Sequence, residues 1–309
     1  MVCLNMQTIE IDKIDAGDKR FCISYPLEDD LLLSSIARFG LLVPVTLLAA
    51  DRPAVVLGFK RLAAAEKLGI KGIPCLYLGG DEKRALLAAI SDNMGRSLNA
   101  VEKMRCVERM SALGFGKEEI FEILKIIGLP AREQTLETVL AAADLEEETK
   151  AFVVRHGLPF TAIEQLVWLD HGERRRIVEI IDPLDVTVSS FREAMQLMML
   201  LKVKHGRIDV EGFAGADSMG SVKRGLKQMA HPLLSEMERA LARLLKSCAL
   251  PPNIRLHVDP FFEKDWIDIS LRVRSGDEVD YASKKLERLL AEGLFGSLFE
   301  LTHGSPIRN

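Results

Sequence analysis

The stretch "PAVVLGFKRLAAAEKLG", residues 53–69, constrains the fold most. An apolar, β-rich run passes through one glycine straight into a helix whose first turn carries Lys60 and Arg61. Such a junction belongs to an α/β unit, and residues 1–98 read as one. Strands are expected at "QTIEID", "FCISY", "LLVPVTLLAA", "PAVVLG" and "IPCLYLG". Helices are expected at "LEDDLLLSSIARFG", from Lys60 to Leu68, and at "DEKRALLAAISDNMGR". Cations at a helix N-terminus oppose the macrodipole, which favours negative charge there. They make sense if an anion sits between them and the exposed N–H groups. The alternative is a turn whose two cations simply reach into solvent.

The pattern changes at residue 99. Residues 99–206 contain successive helix patterns, most ended by Gly or Pro: "NAVEKMRCVERMSALG", "GKEEIFEILKIIG", "REQTLETVLAAADL", "EEETKAFVVRHG", "FTAIEQLVWLDHGERRRIVEII" and "VSSFREAMQLMMLLKVKHG". "GRIDVEGFAGADSMGS" reads as a linker. Residues 218–309 then give a long amphipathic helix interrupted near Pro232, two alternating strands in "NIRLHVDP" and "WIDISLRVRS", and the helix "DYASKKLERLLAEG". The expected class is α+β: an α/β domain, an all-α domain and a small α-β-β-α domain.

Composition excludes little: 309 residues suffice for two or three domains, and a net charge of −4 leaves room for a local basic patch. Cysteines 3, 22, 75, 106 and 248 show no C-x-x-C pair and no metal-ligand spacing, which fits reduced thiols in a cytoplasm. No signal peptide and no run long enough to span a bilayer is seen, so a cytoplasmic protein without a membrane partner is expected.

Three features of residues 1–98 carry chemistry. "GLLVP" starts at Gly40 and Leu41, Gly58 to Arg61 is the junction above, and "SDNMGR" holds Asp92, Asn93 and Arg96. Asp92 and Asn93 offer oxygen ligands suited to a hard divalent cation, and Arg96 suits a phosphate. Each alone also reads as ordinary helix termination.

In this order, "S-I-x-x-x-G-L-x-x-P-V" (Ser35 to Val45), a strand ending in "G-x-x-R" (Gly58 to Arg61), "[DE]-N-x-x-R" (Asp92 to Arg96) and "L-N-x-x-E-K" (Leu98 to Lys103) resemble the N-terminal domain of the ParB family. The resemblance runs from about Ile9 to about Leu169, into the region where ParB proteins carry a helix-turn-helix. It implies a ParB/sulfiredoxin-type fold that binds a nucleoside triphosphate, CTP being favoured, with Mg²⁺. Gly40 and Leu41 would border the pocket, Gly58, Lys60 and Arg61 would hold phosphates, Asp92 and Asn93 would ligate the metal, and Arg96 would add charge. Phe59 stands where partition proteins have the glutamate of "G-E-R-R", and a phenyl ring cannot activate water, so hydrolysis should be weak or absent. No cysteine occupies the Gly58–Arg61 loop, which argues against sulfiredoxin chemistry.

The resemblance makes "KEEIFEILKII" and "AREQTLETVLAAADL" the two helices of a helix-turn-helix. Arg132, Gln134 and Thr135 are the candidate base readers, and Arg174, Arg175 and Arg176 the candidate phosphate contacts. The second helix is otherwise acidic, which opposes duplex binding. The implied protein is a nucleotide-switched, DNA-associated homodimer joined at its C-terminal ends. Two alternatives are a small-molecule kinase of the same superfamily, with its base among Glu28, Asp29 and Asp30, and a protein-binding adaptor with an empty pocket.

Overall fold

In the computed structural model, residues 6–302 are described, and Cys3 and His303 lie outside them. The strands β1 (Gln7–Glu10), β2 (Val45–Leu48), β3 (Ala54–Leu57) and β4 (Gly72–Leu78) form one sheet in the order β1-β4-β2-β3. β4 is antiparallel to β1 and parallel to β2, and β2 is antiparallel to β3. Val45, Leu47, Ile73 and Cys75 are wholly buried, one face of each strand turned inward by the two-residue period. Helices α2 (Phe59–Lys67) and α3 (Glu82–Asn93) pack on this sheet, and α1 (Asp30–Phe39) packs on α2. Asp29 caps α1 by accepting from Leu32 N at 3.0 Å.

Two expected strands differ. Phe21, Cys22 and Ile23 are buried to 1–2% exposure but pair with no strand, so apolar burial rather than a ladder explains their composition. The run from Leu41 becomes strand only at Val45: Pro44 has no N–H to give a ladder, and Leu42 and Val43 are exposed.

Then come α4 (Ala100–Ala112), α5 (Lys117–Ile126), α6 (Glu133–Ala142), α7 (Glu147–Arg155), α8 (Phe160–Val167), α9 (His171–Ile181) and α10 (Val188–His205). The helix pattern from Phe160 to Ile181 divides into two helices, the second starting at the Arg-rich stretch. Asp170 accepts from Glu173 N at 2.9 Å while the Glu173 side chain returns to Asp170 N, a reciprocal cap that starts a new helix.

The described residues fall into two units: those up to Met195 with Val210–Met219, and Gln196–Asp209 with those from Gly220 on. The expected linker is therefore partly core, with Ile208, Val210 and Met219 buried. The second unit adds α11 (Met219–Ala230), α12 (Pro232–Ser247), the antiparallel pair β5 (Ile254–His257) and β6 (Asp268–Leu271), α13 (Gly276–Ala291) and α14 (Leu294–Thr302). Cys248, Leu256, Leu289, Leu294 and Leu298 make its core.

Candidate functional site

Gly58 turns β3 into α2 with φ +98°, a left-handed value that glycine adopts without steric cost. It also leaves space: a Cβ there would lie 3.1 Å from Cζ, Nε and Nη2 of Arg61. The guanidinium folds back over the glycine and donates through Nη1 to Val43 O (3.0 Å) and Pro44 O (2.5 Å). Burial pulls the Arg61 pKa below its ordinary value, with Asp92 opposing. Among the described residues Arg61 has no carboxylate in ion-pair contact.

Two further cations share the site. Lys60 Nζ pairs with Asp29 Oδ2 at 3.3 Å, which ties the first turn of α2 to the cap of α1. Arg96 donates to both oxygens of Glu102 (2.7 and 2.5 Å) and to Asn93 Oδ1 (2.8 Å). Hydrogen bonding to Glu102 raises its pKa. Glu102 is 1% exposed and is satisfied further by Tyr25 N and Asn99 N, each at 3.1 Å. It therefore joins the "DNMGR" segment to the start of α4.

These residues surround a cavity of about 230 Å³, lined by Gly58, Lys60, Arg61, Asp92, Asn93 and Arg96, with Phe59, Phe21, Ile23 and Ser24 as its apolar and polar walls. The structure thus brings together six of the eight nucleotide- and metal-site residues expected from the sequence. Gly40 and Leu41 stand outside the lining. Arg61 reaches only the loop after them, at Val43 and Pro44. Asn93 is already engaged, donating to Ala89 O (2.8 Å) and accepting from Ser24 Oγ (3.3 Å) and Arg96. Among the described residues no three His, Cys, Asp or Glu side chains cluster as a metal site. Asp92 with phosphate oxygens still suits Mg²⁺, which keeps most of its waters and takes one or two carboxylates.

In the sequence, Asp29 reads as a candidate base and Glu102 as part of "L-N-x-x-E-K", neither as the partner of Lys60 or Arg96, and Ser24 does not stand out. Glu102 had a signal, since "N-A-V-E" at 99–102 is a capping-box pattern. Ser24 had none.

The residues expected to contact DNA fare unevenly. Arg132 and Gln134 are exposed at the start of α6. Thr135 is fully buried and cannot present itself to a base edge, because its side chain faces the core beside Leu136 and Val139. Arg174 is 9% exposed and is spent inside the protein, on Glu146 (2.7 and 2.8 Å) and the carbonyls of Leu166 and Leu169. Arg175 is exposed, and Arg176 pairs with Glu211.

No protein-family model matches the chain. Curated relatives are probable chromosome-partitioning proteins ParB. That of Mycobacterium leprae is 25% identical over 187 residues, 50% of this chain and 56% of the relative. That of Pseudomonas putida is 25% identical over 207 residues, 57% of this chain and 70% of the relative. The match thus spans little more than half the length of the first relative. Among solved structures, Caulobacter crescentus ParB complexed with CTP-gamma-S is 21% identical with a TM-score of 0.25, covering 61% of this chain and 98% of that one. The same protein complexed to the parS site is 17% identical with a TM-score of 0.32, covering 62% and 98%. Similarity to curated partition proteins over half or more of its residues makes this chain ParB-like.

Proposed function

We propose that the chain is a DNA-associated, partition-type protein whose N-terminal domain binds a nucleoside triphosphate, CTP by preference, as a conformational switch. One observation carries this reading: Arg61, half-buried and among the described residues without a carboxylate in ion-pair contact, shares a cavity with Lys60, Arg96 and Asp92 at the N-terminus of α2. A desolvated guanidinium satisfied only by carbonyl oxygens gains most from an anion. At about 230 Å³ the cavity suits a phosphate chain; a whole nucleotide needs more, since pockets for drug-sized ligands run from ~300 to 1,000 Å³. The nucleoside would lie outside the cavity, or the walls would part. Mg²⁺ would be held by Asp92 and Asn93 and would offset charge on the phosphates. Phe59, 5% exposed, leaves no carboxylate at its position to activate water, so turnover is weak or absent.

Binding would exchange Lys60–Asp29 and Arg96–Asn93 contacts for phosphate contacts. The helical part would register this through Glu102, which holds both Arg96 and the start of α4. DNA contact through α6 falls to Arg132 and Gln134, with Arg175 as a further cation. The division at 1–98, 99–206 and 218–309 remains our reading of the domains, with the last supplying a homodimer contact.

Calorimetric titration with CTP, ATP and GTP in Mg²⁺, beside Arg61→Ala, tests the reading. CTP binding that the variant loses is the expected result. Saturable ATP binding alone would favour a phosphotransferase, and no binding of any of the three would defeat the nucleotide reading.

A further inference from the structure

The segment from Phe21 to Tyr25 has two sides. Phe21, Ile23 and Ser24 face the cavity at Gly58, whereas Cys22 and Tyr25 line a second cavity of about 330 Å³ with Arg105 and Arg109. Lys19 stands at its exposed edge, as do Glu28 and Glu147. Arg105 and Arg109 are one turn apart on α4, a spacing at which like charges repel, and partial burial strengthens the repulsion.

Glu28 and Glu147 at the rim offset part of those charges. Arg109 pairs with Glu108 at 3.2 Å. Among the described residues, neither Arg105 nor Lys19 is in an ion pair. Arg105 donates to Ser24 O (2.7 Å) and lies 4.6 Å over the Tyr25 ring, while Lys19 Nζ sits 5.3 Å over the Phe59 ring. Glu147 is engaged from outside by Lys150 at 3.0 Å. Burial pushes the Cys22 thiol pKa up and Glu102 adds to the rise, while Arg105, Lys19 and Arg109 pull the other way.

We propose that this cavity is a second ligand site, distinct from the one at Gly58, for a small organic phosphate. The phosphate meets Arg105, Arg109 and Lys19, and the apolar part of the ligand rests on Tyr25 and Leu27. A guanidinium held at one nitrogen by Ser24 keeps its others for a planar, two-point contact with an oxyanion. The volume lies at the lower end of small-molecule pockets, larger than a bare phosphate needs.

Phenyl phosphate is a suitable probe, titrated calorimetrically into the full chain with inorganic phosphate as competitor. Saturable binding is expected, tighter than that of inorganic phosphate. It should weaken several-fold in Lys19→Gln, which alters only an exposed side chain, and ten-fold or more in Arg105→Gln. Arg105→Lys should fall between, because it keeps the charge and loses the fork. Arg61→Ala should bind phenyl phosphate as the natural chain does, whether or not nucleotide binding is lost. Absence of saturable binding overturns the proposal. So does binding that Arg61→Ala abolishes, or binding that both Lys19→Gln and Arg105→Gln leave unchanged.

Discussion

At the scale of single residues, two positions separate local constraint from burial. Gly58 is required twice, by its φ of +98° and by the guanidinium 3.1 Å from where a Cβ would stand. Gly58→Ala should cost about 1–2 kcal/mol in denaturant unfolding and displace Arg61 from Val43 and Pro44. A Gly58→Ala variant as stable as the natural chain would show that the turn is not strained. Thr135 is the opposite case. Its Oγ1 is buried without a hydrogen-bond partner, so the hydroxyl's desolvation is uncompensated. Thr135→Val keeps the shape and removes the orphaned group. It should leave stability unchanged or raise it by up to about 1 kcal/mol, with no effect on DNA affinity. Weakened DNA binding in that variant would restore Thr135 as a reader.

At the scale of elements, a carboxylate clamps α7 to α9. Glu146, just before α7, accepts from Arg174 and pairs with His171. The Arg174 hydrogen bond chiefly holds the Glu146 pKa at about 2, below its ordinary 4.5. Because the folded-state pKa is the lower one, the stabilisation is complete above the unfolded value and fades as pH falls from 4.5 toward 2. It amounts to at most about 3 kcal/mol. Glu146→Gln should be less stable than the natural chain at neutral pH, and the gap should narrow across that acid range in urea unfolding. A gap that stays constant would remove Glu146 from the acid response. This clamp also shows what sequence could not reveal. The junctions at Gly58 and Asp29 were legible because their determinants are a few residues apart, in cap, glycine and period. Arg174 looked like a surface cation in an Arg-rich helix start, and only the fold brings Glu146, 28 positions away, within reach. The Phe21–Ile23 segment misled for a different reason: core burial and strand pairing select the same apolar residues.

At the scale of the whole molecule, the second unit carries an incompletely covered sheet. Ile254 and Leu256 on β5 are buried, at 3% and 9%. Their register partners on β6, Leu271 and Ile269, share that face yet are 44% and 43% exposed. The helices therefore cover one strand and leave the other open. A two-stranded sheet is marginal alone, and its free edge invites another strand. A second copy of this chain, placed by a two-fold axis, could add strands edge to edge and cover Ile269, Leu271 and Val273 in both copies at once. The expected outcome is a dimer mass by light scattering. Ile269→Asp with Leu271→Lys should convert it to a monomer whose helical circular dichroism is unchanged, because neither side chain lies deep in the core. A natural chain that is monomeric at micromolar concentration, or a double variant that stays dimeric, would place the assembly contact elsewhere. If the variant is monomeric yet still binds nucleotide, the proposed site at Gly58 works within one chain and does not need the dimer.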